Sequence, residues 1–174
     1  LSAVVAGTGG FAMYGVSGSD NAGYAVSSAG DMNGDGLNDL LVSANSADTT
    51  GVADRGAVYV VYGKTDTTAI NLSAVAAGSG GFALYGQTNG YGIGETVSAA
   101  GDLNGDGYAD LLVSTPQASG RVYVVYGGTN IMSTVDYMGT SGADTLTGTT
   151  AAETFVGGDG NDTLIGGGGA DVMM

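Results

Sequence analysis

Two stretches of this chain place oxygen-bearing side chains at a spacing that suits a hard cation. In Asp31-Met32-Asn33-Gly34-Asp35-Gly36-Leu37-Asn38-Asp39, side-chain oxygens fall at loop positions 1, 3, 5 and 9, through Asp31, Asn33, Asp35 and Asp39. The Leu37 carbonyl is available at position 7, and glycine stands at position 6. Asp102-Leu103-Asn104-Gly105-Asp106-Gly107-Tyr108-Ala109-Asp110 repeats the pattern, with Asp102, Asn104, Asp106, the Tyr108 carbonyl and Asp110. This is the ligand order by which one short loop wraps Ca2+. Three carboxylates held ~5 Å apart would otherwise repel by roughly 3 kcal/mol per pair at an effective dielectric of about 20. Gly36 and Gly107 sit where the chain reverses sharply and positive φ is required. Asp, Asn and Gly also crowd into ordinary surface turns, but two nonamers with identical ligand positions do not fit that reading.

The flanking sequence says what kind of element carries the loops. An EF-hand needs Glu at position 12 and a helix on each side. Here position 12 is Val42 or Val113, within the apolar runs Leu40-Leu41-Val42 and Leu111-Leu112-Val113. Such runs, bounded by polar residues, predict buried strands, so each loop is expected to join two strands of one sheet.

The whole chain is a set of repeats. Leu1-Ser2-Ala3-Val4, with the following Gly-Gly-Phe-Ala-x-Tyr-Gly, returns at Leu72-Ser73-Ala74-Val75, an offset of 71 that also relates Asp31 to Asp102. Later the offset falls to 64, because Val58-Tyr59-Val60-Val61-Tyr62-Gly63 matches Val122-Tyr123-Val124-Val125-Tyr126-Gly127. The seven residues missing from the second copy lie opposite residues 45–55, where a surface connection tolerates loss. Each copy offers about four strand-sized segments, as a propeller blade does. Two blades cannot close a ring, so further blades of the same polypeptide or other copies of the chain are expected partners. The boundaries are read as residues 1–71 for the first blade and 72–135 for the second. The weak echo of Asn71-Leu72-Ser73-Ala74-Val75 at residues 130–135 is taken as the second blade's closing strand.

From Gly139 the period becomes nine. Acids at 144, 153, 162 and 171 and apolar residues at 146, 155, 164 and 173 keep phase through residue 174. A flexible Gly/Ser/Asp linker would account for the glycines but not for that phase. Residues 139–174 are therefore assigned to a third region.

The order Phe-x-x-Tyr-Gly, Ser-x-x-Gly-Asp-x-Asn-Gly-Asp-Gly-x-x-Asp-Leu-Leu-Val-Ser, Gly-x-Val-Tyr-Val-Val-Tyr-Gly resembles the FG-GAP repeat, over roughly residues 9–128. The FG-GAP repeat is the blade unit of the integrin α-subunit propeller and of many bacterial surface proteins. The Gly-Ala-Pro element is represented by Ser43-Ala44-Asn45 and Ser114-Thr115-Pro116, a departure at the turn that follows. The nonapeptides resemble the calcium-binding parallel β-roll of RTX proteins. That resemblance implies six-residue turns supplying carbonyls and Asp, and three-residue strands whose central side chain points inward. It implies Ca2+ between stacked turns, with Asp144 facing the turn of Asp159 and Asp162. Asp171 would face the degraded turn, where Glu153 replaces Asp and Thr149 and Ala151 replace glycines, leaving that site weak or empty. The expected fold is all-β, two four-stranded propeller-type blades followed by a short parallel β-roll.

Composition narrows the function. Net charge is −14, from 17 acids against Arg55, Lys64 and Arg121, which repels nucleic acid and anionic membrane. Eleven of the acids lie in the two loops or the nonapeptides, so the charge reads as ligand charge, whereas a halophile-type coat would scatter it. Cysteine is absent, so neither disulfides nor thiolate metal sites are available. No apolar run approaches membrane-spanning length, no leader pattern opens the sequence, and the segment is expected to be a piece of a longer polypeptide. The absence of histidine removes the usual general base, and neither a Gly-x-Ser-x-Gly elbow nor a phosphate loop is present. Asp54-Arg55-Gly56 is not the integrin-binding tripeptide in order, and Asn71-Leu72-Ser73 is an isolated sequon. Tyr59, Tyr62, Tyr123 and Tyr126 read as strand packing.

The sequence thus points to a non-enzymatic calcium-binding structural or adhesion module of a secreted or cell-surface bacterial protein that folds on extracellular calcium. A cell-surface or matrix ligand is a further expected partner, with no insertion into membrane. The RTX resemblance implies one-step export by a type I secretion machine. Two alternatives stand beside it: a calcium-dependent accessory segment of a secreted hydrolase, and a self-assembling filament or ring subunit.

Overall fold

The computed structural model describes residues 1–48, 54–86, 92–115, 120–129, 143–150 and 161–168, and the backbone of 135–138, 154–156 and 172–173. Two compact units are present, Leu1–Ile131 and Met132–Met174.

In the first unit a short helix α1 (Ser2–Val5) precedes strands β1 (Met13–Tyr14), β2 (Ala22–Gly30), β3 (Asp39–Ala44), β4 (Ala57–Val61) and β5 (Ile70–Asn71). Helix α2 (Leu72–Ala76) follows, then β6 (Gly81–Tyr85), β7 (Val97–Gly101), β8 (Asp110–Thr115) and β9 (Arg121–Val125). β2, β3, β4 and β6 form one antiparallel sheet in that order; β7, β8 and β9 form a second. β1 and β5 pair in parallel, Met13 with Ile70 and Tyr14 with Asn71.

Both acidic loops join neighbouring antiparallel strands, β2 to β3 and β7 to β8, as their flanks require. The four-stranded sheet crosses the 71/72 repeat boundary, because its last strand β6 comes from the opening of the second sequence copy. The sequence period and the sheet are out of phase by one strand. Among the described residues the second sheet has three strands. Its expected closing segment falls outside them apart from Val135, which begins a strand of the other unit.

The first sheet is covered on both faces, which explains the uninterrupted apolar run of β4, buried at all five positions. On one face Val42, Ala44, Ala57, Tyr59 and Val61 pack with Leu72 and Val75 of α2. On the other, a Cβ placed on Gly94 would lie 2.8 Å from both Ser43 Cβ and Val58 Cγ2, so the chain entering β7 lies directly on the sheet. Neither helix was legible in the sequence, since four or five residues are too few to show a 3.6 period. Residues 72–75, the segment echoed at the expected closing strand 130–135, are helical, and the Asn71 side chain explains why. Its Oδ1 accepts from Ser73 N at 2.9 Å and from Ser73 Oγ at 2.7 Å, an N-cap that starts α2 and gives the isolated sequon a structural role.

The second unit contains β10 (Val135–Met138), β11 (Thr145–Thr147), β12 (Thr154–Val156), β13 (Thr163–Ile165) and β14 (Val172–Met173). β10, β12 and β14 form one parallel sheet and β11 and β13 another. Alternate nonapeptides therefore pair, Thr145 with Thr163 and Thr154 with Val172. In β11 and β13 the central Leu146 and Leu164 are half-buried between exposed neighbours, as a roll with inward central side chains requires.

Candidate metal centres

The two blade loops adopt the same hydrogen-bonded turn, and the bonds show how the sequence builds it. Asp31 at position 1 gathers the loop: its Oδ1 accepts from Gly34 N (2.8 Å) and Asp35 N (3.1 Å), and its Oδ2 from Gly36 N (2.9 Å). Asp102 does the same with Gly105, Asp106 and Gly107, at 2.7, 3.1 and 2.9 Å. Asn33 Oδ1 accepts from Asp35 N, and Asp35 Oδ1 from Leu37 N; Asn104 and Asp106 repeat both bonds, the second to Tyr108 N. Gly36 and Gly107 take φ values of 86° and 92°, in the left-handed region that a side chain would strain.

The position-9 carboxylates have a further task that the sequence did not reveal. Asp39 and Asp110 are fully buried. Asp39 Oδ2 accepts from Met32 N at 2.9 Å and Oδ1 from Gly63 N at 2.8 Å, tying the loop to the residues that follow β4. Asp110 makes the matching bonds to Leu103 N (2.7 Å) and Gly127 N (2.8 Å). The Gly after each Val-Tyr-Val-Val-Tyr run was the available signal. Burial raises the Asp39 carboxyl above its ordinary value of 3.8; the amides of Gly63 and Met32 oppose this, and the charges of Asp35 and Asp31 add to it.

The two loops also touch. Asp31 O accepts from Ala109 N at 2.9 Å and Met32 O from Gly128 N at 2.8 Å. The Tyr108 ring lies over Gly34, where a Cβ would stand 2.5 Å from its Cε1. Position 4 of the first loop thus needs glycine for close approach as well as for its backbone.

In the second unit, Asp144 N donates to Asp162 Oδ1 at 3.0 Å and Thr163 N to Asp144 O at 2.8 Å, so alternate turns are brought together. Gly168 N donates to Thr149 O at 2.8 Å, which places the degraded turn against the fourth. Asp159 and Asp171, with Glu153 and Ala151, lie outside the described residues.

The donor sets consist of oxygen throughout, the chemistry Ca2+ prefers. Among the described residues no three acidic groups close to metal-binding distance. Backbone amides donate to the loop carboxylates in both copies. Lys64, one of the three basic residues, pairs with Asp66 outside the loops, at 2.8 Å. The residues fit a calcium ion in donor type, turn and charge.

The fold and these loops define an all-β calcium-binding repeat protein. The FG-GAP repeat model matches residues 22–61 and 94–125, and the model of the RTX calcium-binding nonapeptide repeat, four copies, matches residues 138–173. The chain carries FG-GAP repeats, which form propeller blades, followed by RTX calcium-binding repeats, and its cofactor is Ca2+. It is similar to integrin alpha-4 of Xenopus laevis, 34% identical over 102 residues, covering 57% of this chain and 9% of that protein. Integrin alpha-PS5 of Drosophila melanogaster is 36% identical over 110 residues, 60% of this chain and 10% of the relative. Integrin alpha-IIb of Mus musculus is 32% identical over 105 residues, 56% and 10% respectively. The chain thus spans about a tenth of the length of these relatives.

Proposed function

We propose that this segment is a non-enzymatic, calcium-stabilised structural and adhesion module of a secreted or cell-surface bacterial protein. In each blade loop the ligands are Asp31, Asn33, Asp35, the Leu37 carbonyl and Asp39, or Asp102, Asn104, Asp106, the Tyr108 carbonyl and Asp110. In the roll they are Asp144, Asp159, Asp162 and Asp171. The observation that carries this reading is the duplicate loop, which reproduces every side-chain bond of its twin and holds its acids without a basic partner in those bonds. Bound calcium supplies positive charge that offsets repulsion among the carboxylates. The chain's own residues do the rest: Asp31 and Asp102 shape the turn, and Asp39 and Asp110 fasten it to the next strand.

Extracellular calcium modules bind at ~10⁻⁴–10⁻³ M. At ten times the dissociation constant each site adds roughly 1.4 kcal/mol, so three or four sites contribute about as much as a small domain's net stability. Such a module is least stable where calcium is scarce, its roll turns losing order first, and firm outside the cell. The likeness to integrin alpha chains supports adhesion; the RTX repeats support export by type I secretion. Among the described residues no helix is long and apolar enough to cross a membrane.

Calorimetric titration with Ca2+ tests the reading. At least three sites are expected, with Asp35→Ala and Asp106→Ala each removing one. Heat without saturation, or unchanged stoichiometry in both variants, rejects the assignment.

A further inference from the structure

β4 and β9 are nearly the same strand in sequence, yet their surroundings differ. In β4, Val58, Tyr59 and Val60 are 0, 2 and 0% exposed; their counterparts Val122, Tyr123 and Val124 in β9 are 65, 37 and 46% exposed. Tyr126, which follows β9, is 55% exposed, so the packing role expected of Tyr123 and Tyr126 is not met among the described residues. β4 is covered by α2 on one face and by the chain entering β7 on the other, and the two strands differ at their edges as well. β4 lies between β3 and β6, whereas β9 has β8 on one side and no strand on the other among the described residues.

The occupant is specified by the sheet that is complete. β6 seats Gly81, Phe82, Ala83, Leu84 and Tyr85 opposite Val61, Val60, Tyr59, Val58 and Ala57. The same pattern occurs once more, at Gly10-Phe11-Ala12-Met13-Tyr14. Its strand β1 is paired on one side only among the described residues, in parallel with β5. Among the described residues the chain therefore carries an acceptor edge on β9 with no strand beside it, and a second copy of the donor pattern whose strand is paired along one edge only, through β5, with Phe11 beside Lys64.

We propose that residues 10–14 of a second copy of this chain add antiparallel to the free edge of β9. The register of the complete sheet puts Gly10 opposite Val125, Phe11 opposite Val124, Ala12 opposite Tyr123, Met13 opposite Val122 and Tyr14 opposite Arg121. Tyr62 N donates to Gly80 O at 2.9 Å, so alternate amides of β4, those of Val58 and Val60, face β6. Val122, Val124 and Tyr126 present the corresponding amides on β9. A trough beside them, lined by Leu84, Tyr85, Ile93, Val113, Tyr123 and Val124, receives side chains of the incoming strand. Main-chain bonds give the affinity and the alternating side chains the specificity. The contact is heterologous, so it continues into a ring or an open filament.

Sedimentation of the full chain in millimolar calcium tests this, with circular dichroism confirming that each protein is folded. Wild type is expected to form concentration-dependent species larger than a monomer. Val124→Pro removes a free-edge amide, a change edge strands tolerate, and Phe11→Asp spoils the donor. Each should weaken association at least about tenfold, the loss expected of one or two net hydrogen bonds. Mixing the two variants should give one-to-one dimers and nothing larger, because one retains the donor and the other the acceptor. If Val124→Pro does not fold, Val122→Lys with Val124→Lys blocks the edge by charge instead. A folded wild type that stays monomeric to millimolar concentration overturns the proposal. So does association indifferent to both variants.

Discussion

The blade loops and the roll turns use the same few residue types and hold their shape by opposite means. In a blade loop the shaping bonds close within five residues, from Asp31 to Gly34, Asp35 and Gly36, and a buried Asp locks the finished turn to its own sheet. In the roll one bond spans eighteen residues, from Asp144 to Asp162, and another joins Gly148 to Ile165, so each turn rests on another turn. A locally closed loop can exist before its ion arrives. A stacked turn exists only when the stack does, the property of solenoids.

The largest expected effect separates the two directly. On chelation of calcium, amide exchange at 145–147 and 163–165 should lose all measurable protection, while β3 and β4 keep most of theirs. Equal loss in both units would show that the blade loops are not self-supporting. Next in size, Asp39→Ala should cost about 2–4 kcal/mol in urea unfolding, since it leaves the buried Met32 amide and the half-buried Gly63 amide without an acceptor. Asp162→Ala, measured the same way, should leave the blade transition unmoved.

A smaller effect is a pH dependence of the chelated protein. The Asp39 carboxyl is raised above 3.8 in the fold, so its contribution is full below 3.8 and is lost as pH rises through the folded value. Without calcium, stability from this group should therefore increase as pH falls through that window. With calcium the slope should reverse, because protons then compete with the ion. Unfolding midpoints from pH 7 to 4, with and without chelator, measure both slopes. Smallest of all, Tyr108→Ala should weaken calcium binding at the first loop by a few-fold through loss of the ring over Gly34. An unchanged affinity there would mean that each loop is independent as well as locally closed.

The contrast also explains what could be read beforehand. Ligand spacing, the loop-joining strands and the nine-residue phase are local properties, and all were visible in residue types and intervals. The buried anchoring role of Asp39 and Asp110 was not, because their partners Gly63 and Gly127 lie 24 and 17 residues away across a strand. The cap at Asn71 was likewise hidden, since a helix as short as α2 leaves no periodic trace.

By itself the sequence determined the spacing of oxygen-bearing side chains in the loops, the order of repeats and which strands are apolar, because these follow from composition and period. Only the tertiary structure decided that the blade borrows its last strand from the next repeat. It also decided that two strands of nearly one sequence end up buried and exposed. Burial belongs to the neighbours a strand finds, and a chain cannot state in its own residues which neighbours it will lack.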